Sequence, residues 1–326
     1  MSIKKIGVLI LVIVIIVTAT LFLRPKQSNL PLIAIANFGP HSSLDASIQG
    51  IKNELTKSGF IEQENIQYEI VDVGFDASLI PQMITNIKSH HPRVLVVITT
   101  PVAQYAKGAI KDIPLIYSVI TDPVAAGLIK DSAQPEGNMT GSSDKQNLNL
   151  LFDFAKKVLN HPSRVGILYS TAESNDLALV RMIKQAALKS HMQVVAVPID
   201  QARDIPIAMQ KFNHKVDFIY VGASGAIQPA LPIIAVASSK MGIPIFNINE
   251  AAVKENMVLA SFGVDYHQVG VNAGKLIVGV LQGKSIASLV PVYPSINDYQ
   301  GFISEKNAAV LGLNLPPNLT KTFVVR

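Results

Sequence analysis

The sequence contains no cysteine. Disulfides, thiolate metal sites and cysteine nucleophiles are excluded together, as is a lipidated cysteine, a common anchor for exported bacterial binding proteins. Charge is sparse as well: Asp, Glu, Lys and Arg make up 16% of the 326 residues, against 49% hydrophobic residues. That balance suits large buried sheets rather than disorder. No basic stripe with interleaved aromatics runs along the chain, so nucleic acid is not an expected partner. The net charge of +5 is local: residues 1–26 hold Lys4, Lys5, Arg24 and Lys26 and no acids, and removing these four from 28 basic residues leaves 24 against 23 acidic ones. The seven histidines are scattered, no His-x-x-x-His pair occurs, and the adjacent His90 and His91 cannot share one helix face. No metal or other cofactor is expected.

Signatures of catalysis are missing too. Gly222-Ala-Ser-Gly-Ala226 lacks the second glycine of a Gly-x-Ser-x-Gly nucleophile elbow. Gly274-Lys275 is followed by Leu276 rather than Ser or Thr and lacks the earlier glycine of a phosphate-binding loop. The chain reads as a binder and not as an enzyme.

What is present begins with an apolar-to-small run from Ile6 to Leu23 after Lys4 and Lys5, ended by Arg24, Pro25 and Lys26. Eighteen helical residues span about 27 Å, close to the thickness of a hydrocarbon core. Val17 and Ala19 suit signal-peptide cleavage, whereas Leu21, Phe22 and Leu23 prolong the run and favour a retained anchor. Residues 1–30 are therefore expected to be a signal peptide or membrane anchor with a linker. In either case the rest of the chain lies outside the cytoplasm, at the outer face of the bacterial inner membrane, tethered or released.

A length of 326 residues suggests roughly two domains. From Leu32 onward, short apolar runs alternate with helical spacing. Strands are expected at Leu32–Ala36, Ile66–Val71, Val94–Ile98 and Leu115–Ile120, with helices at Ser43–Ser58 and Leu79–Ser89 between them. The pattern restarts at the helix Leu148–Leu159. Strands follow at Val165–Tyr169, Val194–Val197, Phe218–Val221, Ile245–Ile248 and Met257–Phe262, and helices at Leu177–Lys189, Ile205–Phe212, Pro229–Lys240 and Val269–Leu281. Such alternation predicts parallel sheets covered on both faces. The halves echo each other: Asp112-Ile-Pro-Leu-Ile116 matches Gly242-Ile-Pro-Ile-Phe246, and His91-Pro-Arg-Val94 matches His161-Pro-Ser-Arg-Val165. The fold class is α/β, with two similar lobes.

In open parallel sheets, ligands gather beyond the carboxyl ends of the strands. The segments there include Asn37–Ser43, Thr99–Pro101, Thr121–Pro123, Ser170–Asn175, Gly222–Gly225, Asn249–Glu250 and Gly263–Asp265. They are rich in hydroxyls, amides and backbone donors. Several precede helices, whose N-termini offer free N–H groups to an anion. Ser, Thr and Asn at such places also serve as helix caps.

Longer stretches carry a family resemblance. They are Thr99-Thr-Pro-Val-Ala-Gln104, the block from Ile113 through Thr121-Asp-Pro-Val124 to Leu128, Gly137–Asp144, Val165–Asn175 and Phe262-Gly-Val-Asp-Tyr266. Across residues 31–315 the chain resembles the ABC transporter substrate-binding proteins whose better-known members take up aromatic amino acids. The resemblance implies a type I periplasmic-binding-protein fold with three crossovers. Lobe one is then 31–144 plus 264–289, and lobe two 145–263 plus 290–326. It implies a small-molecule ligand in the cleft between the lobes, of the amino-acid class, and a permease with its ATPase as partners. The implied cleft residues are Phe38, Thr99, Thr100, Ser118, Asp144, Ser170, Glu173, Asn175, Ser224, Glu250 and Asp265. One departure stands out: Val221-Gly-Ala-Ser224 replaces a Pro-Thr-Asp-Asn-like loop, which removes an acid and an amide from the wall. Glu173, Glu250 or Asp265 is then left to meet an ammonium group. An alternative role for the same architecture is a ligand-sensing module coupled to a membrane signalling partner.

Overall fold

The apolar runs on either side of residue 144 build two separate sheets. The computed structural model describes residues 30–159, 161–317, 319 and 324–325. The expected N-terminal apolar helix lies outside the described residues. The first sheet holds β1 (Leu32–Asn37), β2 (Gln67–Asp72), β3 (Val94–Ile98), β4 (Leu115–Ile120) and β5 (Met139–Ser143), all parallel, in the order β2-β1-β3-β4-β5. The strands β3 and β4 are buried along their whole length because helices cover both faces of the sheet. The connecting helices are α1 (Ser42–Lys57), α2 (Ile80–Ser89) and α3 (Thr100–Ala109).

The second sheet holds β6 (Arg164–Ser170), β7 (Gln193–Ile199), β8 (Phe218–Val221), β9 (Ile245–Asn247), β10 (Ala260–Val264), β11 (Tyr299–Ser304) and β12 (Val324–Val325). Its order is β12-β11-β10-β9-β8-β6-β7, with β11 antiparallel to β10. The flanking helices are α4 (Leu148–Val158), α5 (Ser174–Ser190), α6 (Ile205–Gln210), α7 (Leu231–Met241) and α8 (Glu250–Lys254). Each lobe is thus a largely parallel sheet with helices on its faces.

Helix α9 (Tyr266–Leu281) follows a strand of the second sheet yet packs on the first lobe, against α1, β4 and β5. Glycines allow its close approach to α1. A Cβ on Gly50 would stand 2.1 Å from the His267 carbonyl oxygen, and one on Gly270 would stand 1.9 Å from that of Ser47. After α9 the chain stays beside β5, where Val292 accepts from the Ser143 N–H and donates to the Gly141 carbonyl, before it joins the second sheet as β11.

Three local differences from the expected pattern have physical causes. Helix α3 is not among the elements expected from sequence, where Pro101 only bounds the strand before it; Pro101 stands in the first helical turn, where no intrahelical N–H is needed. Strand β5 has no apolar pattern, and two of its three hydroxyls are satisfied inside: Thr140 donates to the Leu289 carbonyl at 2.7 Å and Ser143 to that of Ile120 at 2.6 Å. The strand expected from Met257 starts at Ala260, since Asn256 (φ 56°) turns left-handed after α8 and the Met257 N–H folds back onto the Ala252 carbonyl.

The crossings between the lobes are tied together. Asp144, 1% exposed, accepts from the Tyr266 hydroxyl at 3.1 Å, and the Tyr299 hydroxyl donates to the Lys145 carbonyl at 2.6 Å. Burial pushes Asp144 up to about 6, against the opposing pull of the Tyr266 bond. A folded pKa above the unfolded value, about 3.9, favours the native state at low pH and costs stability as pH rises from about 4 through 6. By neutral pH the cost is on the order of 3 kcal/mol. Asp144→Asn is therefore expected to lack that part of the decline. Urea unfolding between pH 4 and 7 checks this, and slopes equal to wild type would contradict it.

Candidate functional site

The carboxyl ends of the two sheets face each other across a cleft whose empty space, mouth included, is about 510 Å³. The first lobe contributes Phe38, His41, Ser43, Leu44, Phe75, Thr99, Thr100, Pro101, Val119 and Thr121. The second contributes Glu173, Asn175, Ala223, Ser224, Gly225, Gln228 and Ile248, and Tyr266 lines the cleft from the start of α9.

On the first lobe, β1 ends in a turn fixed by Asn37, which accepts from the Phe38 N–H and donates to the Gly39 carbonyl, both at 2.9 Å. Phe38 then packs edge-on against Phe75, with ring centroids 5.6 Å apart. Helix α1 starts at His41, whose Nδ1 accepts from the Ser43 N–H. Burial lowers the pKa of His41, against Asp45 and Glu255, so its ring stays a neutral acceptor. The Ser43 hydroxyl is buried and has no partner. Helix α3 starts without a side-chain cap. Its leading residue, Thr99, takes φ 77° and ψ 157°, a conformation that favours glycine. The Thr99 hydroxyl is also buried without a partner. This lobe therefore presents unsatisfied hydroxyls beside a helix N-terminus, an arrangement suited to a carboxylate.

On the second lobe, Glu173 precedes α5. Its carboxylate accepts from the N–H groups of Gly225 (3.0 Å) and Ala226 (2.8 Å) and from the Asn175 amide (3.1 Å). The same amide nitrogen reaches Asp176 at 3.2 Å and the Ala223 carbonyl at 3.1 Å, while the Asn175 oxygen has no partner. Asp176 is 1% exposed and accepts from the Ser170 N–H at 2.6 Å. Burial raises the Asp176 pKa well above the carboxylate range, and the charge of Glu173 raises it further. This lobe presents acids and an idle amide oxygen, an arrangement suited to an ammonium group. Phe38, Leu44, Phe75, Val119, Ile248 and Tyr266 form apolar walls between the two sets.

The lobes touch across the cleft. Asn249 donates to the Ser42 hydroxyl at 2.6 Å, and the Ser174 hydroxyl donates to Gln104 at 3.1 Å.

Of the residues expected from sequence, Phe38, Thr99, Thr100, Glu173, Asn175 and Ser224 gather on the cleft. Ser118 bonds the Ser47 hydroxyl at 2.9 Å, Asp144 lies under Tyr266, and Ser170 accepts from the Ala172 N–H; none of the three lines this cavity. Glu250 and Asp265 line an adjoining chamber. Sequence reasoning did not single out Phe75, Gln228, Tyr266 or Asp176. Phe75 is brought in by a left-handed Gly74–Phe75 turn after β2, and a glycine before an aromatic residue was the available signal. Among the described residues no group of three or more His, Cys, Asp or Glu is placed to hold a metal, and no helix is long and apolar enough to cross a membrane.

Thr99→Gly tests the strain. Relief of the backbone is worth about 1–3 kcal/mol, less the entropy cost of glycine, about 0.5–1 kcal/mol. The variant is expected to melt at or above wild type yet bind ligand more weakly, because it loses the free hydroxyl. Calorimetry of both proteins checks this; lower stability with unchanged affinity would contradict it.

Comparison with known proteins adds the following. A family model described as ABC transporter substrate binding protein matches residues 32–323. A tyrosine-binding protein of Clostridioides difficile (strain R20291) is 30% identical over 288 residues, 88% of this chain and 82% of that protein. A Streptococcus pneumonia ABC domain solved in complex with L-Trp is 29% identical, with a TM-score of 0.85 over 91% of this chain and 100% of that one. The ligand-free, open structure of a Clostridium difficile substrate binding protein with adhesive properties is 27% identical, with a TM-score of 0.70 over 91% and 99% of the two chains.

Proposed function

This chain belongs to the ABC transporter substrate-binding protein family, and we propose that its cleft takes one free α-amino acid with an aromatic side chain. The observation that carries the proposal is the division of polar chemistry between the lobes. Idle hydroxyls of Ser43 and Thr99 stand with the uncapped start of α3 on one side, and the idle oxygen of Asn175 stands with Glu173 and Asp176 on the other. A zwitterion would satisfy both sets and bridge the lobes. Its side chain would lie between Phe38, Phe75 and Tyr266. The names of the relatives, which bind tyrosine and L-Trp, point to the same ligand class. Glu173 takes the place of the acid missing from the Val221–Ser224 loop.

Removal of either charge should be costly, since each leaves buried polar groups unpaired. N-acetyl-L-tryptophan and L-tryptophanamide are both expected to bind at least tenfold more weakly than L-tryptophan in calorimetric titrations. Equal binding of all three would remove the zwitterion clamp from the account.

In this reading the chain catalyses nothing. It closes on its ligand outside the cytoplasm, and a permease with its ATPase receives the closed form. The apolar run Ile6–Leu23 supports a tether at the membrane. Sequencing of the mature N-terminus from native membranes tests the tether, and a chain beginning at Thr20 would contradict it.

A further inference from the structure

Beyond Ser43 the cleft continues into a second chamber, which shares Ser43, Ile248 and Tyr266 with the main cavity. Its empty space, mouth included, is about 580 Å³. Its lining differs in kind from the main cavity. Beside Tyr266 and Phe302 it presents Ser42, Ser43, Asn249, Glu250, Ser261, Asp265 and Gln300, a larger share of polar groups. The hydroxyls of Ser43 and Ser261 are buried, 5% and 1% exposed, and neither has a hydrogen-bond partner. Two carboxylates line the chamber and no lysine or arginine does. Asp265 uses Oδ1 to cap α9 through the N–H groups of His267 and Gln268. Glu250 meets Lys254 at 2.7 Å through Oε1, on the solvent side of α8.

We propose that this chamber is a second compartment of the binding cleft that accepts a small organic cation, an ammonium or guanidinium group. An anion would meet two carboxylates, of which only Glu250 has a cation beside it, Lys254. An apolar group would strand two buried hydroxyls, each of which needs a partner. A guanidinium or ammonium group brings several donors and a positive charge, and so meets both the hydroxyl oxygens and the carboxylates. The assignment does not depend on the aromatic amino acid proposed for the main cavity. Two sources can supply such a cation, the cleft ligand itself and a separate small amine.

Methylguanidinium is the direct probe. Saturation-transfer NMR on the whole protein is expected to show saturable binding. Asp265→Asn retains a capping oxygen and removes the charge, and Glu250→Gln removes the second charge. Each is expected to weaken methylguanidinium at least fivefold, while melting temperature and L-tryptophan affinity stay at wild-type values. Two further titrations separate the sources. A cation carried by the cleft ligand predicts that L-arginine binds at least tenfold more tightly than methylguanidinium and displaces both probes. A separate amine predicts that methylguanidinium binds undiminished beside L-tryptophan. Absence of saturable binding, or binding unchanged in both variants, overturns the compartment. Either result leaves L-tryptophan affinity as an independent readout of the main cavity.

Discussion

Glu173→Gln is expected to bind its amino acid roughly 10- to 150-fold more weakly than wild type, the equivalent of a lost charge-assisted hydrogen bond worth about 1.5–3 kcal/mol. Glu173 has two tasks that this substitution separates in part. Its carboxylate holds the Gly225 and Ala226 N–H groups, which shapes the loop after β8, and it supplies charge beside the idle oxygen of Asn175. Glutamine keeps one accepting oxygen and turns an amide toward the other N–H, so some stability is lost as well, about 1–3 kcal/mol for an unsatisfied buried donor. Thermal unfolding measures the first task and calorimetric titration the second. A variant that melts lower yet binds L-tryptophan like wild type would reduce Glu173 to a loop anchor. Asn175→Ala provides the companion measurement, because Asn175 bridges Glu173 and Asp176 through one nitrogen.

Gly225→Val is expected to abolish closure. A Cβ on Gly225 would stand 2.3 Å from a ring carbon of Phe38, on the opposite lobe. Phe38 has little room to retreat, since it packs edge-on against Phe75, whose ring lies so close to the chain that a Cβ on Gly39 would stand 2.7 Å from it. With the lobes apart the Phe38 contact is gone and only the Glu173 carboxylate of the same lobe, 3.3 Å from that Cβ, stays beside it, so most of the penalty falls on the closed state. A ligand that bridges the lobes must then overcome that penalty, and its apparent affinity drops accordingly. A loss of about a hundredfold or more corresponds to a closed state raised by about 2.7 kcal/mol. Small-angle scattering should show an extended particle with and without L-tryptophan, while the ligand-free melting temperature changes little. Normal compaction of the variant would mean that Phe38 can move aside.

Much of the fold was legible in the sequence because each lobe buries its strands on both faces. Runs such as Val94–Ile98 and Phe218–Val221 are apolar throughout, Leu115–Ile120 is interrupted only by Ser118, and all three coincide with the observed strands. Strand β5 escaped because its polar Thr and Ser side chains are buried, with Thr140 and Ser143 satisfied by backbone carbonyls, which composition does not reveal. The polar half of the candidate site was legible for a related reason: Thr99, Thr100, Glu173, Asn175 and Ser224 all follow strands at the carboxyl edge. The aromatic half was less so. Phe75 arrives through a left-handed turn, and Tyr266 reaches the cleft from a helix that begins in one lobe and packs on the other. Ser118, implied by the resemblance, lies within β4, and Ser170 ends β6, but hydrogen bonds to Ser47 and Ala172 engage them outside this cavity. Position at a strand end therefore indicated the right edge of the sheet, whereas side-chain direction depended on partners distant in sequence.

The protein has no tryptophan of its own, so emission excited selectively in an indole comes from the ligand alone. Titration of L-tryptophan with the protein therefore tests the central claim directly. The account predicts a blue-shifted ligand emission that saturates at one L-tryptophan per chain, is displaced by L-tyrosine and is weakened at least tenfold by Glu173→Gln. Indole emission unchanged across the titration, with no heat of binding for L-tryptophan, L-tyrosine or L-phenylalanine, would contradict it.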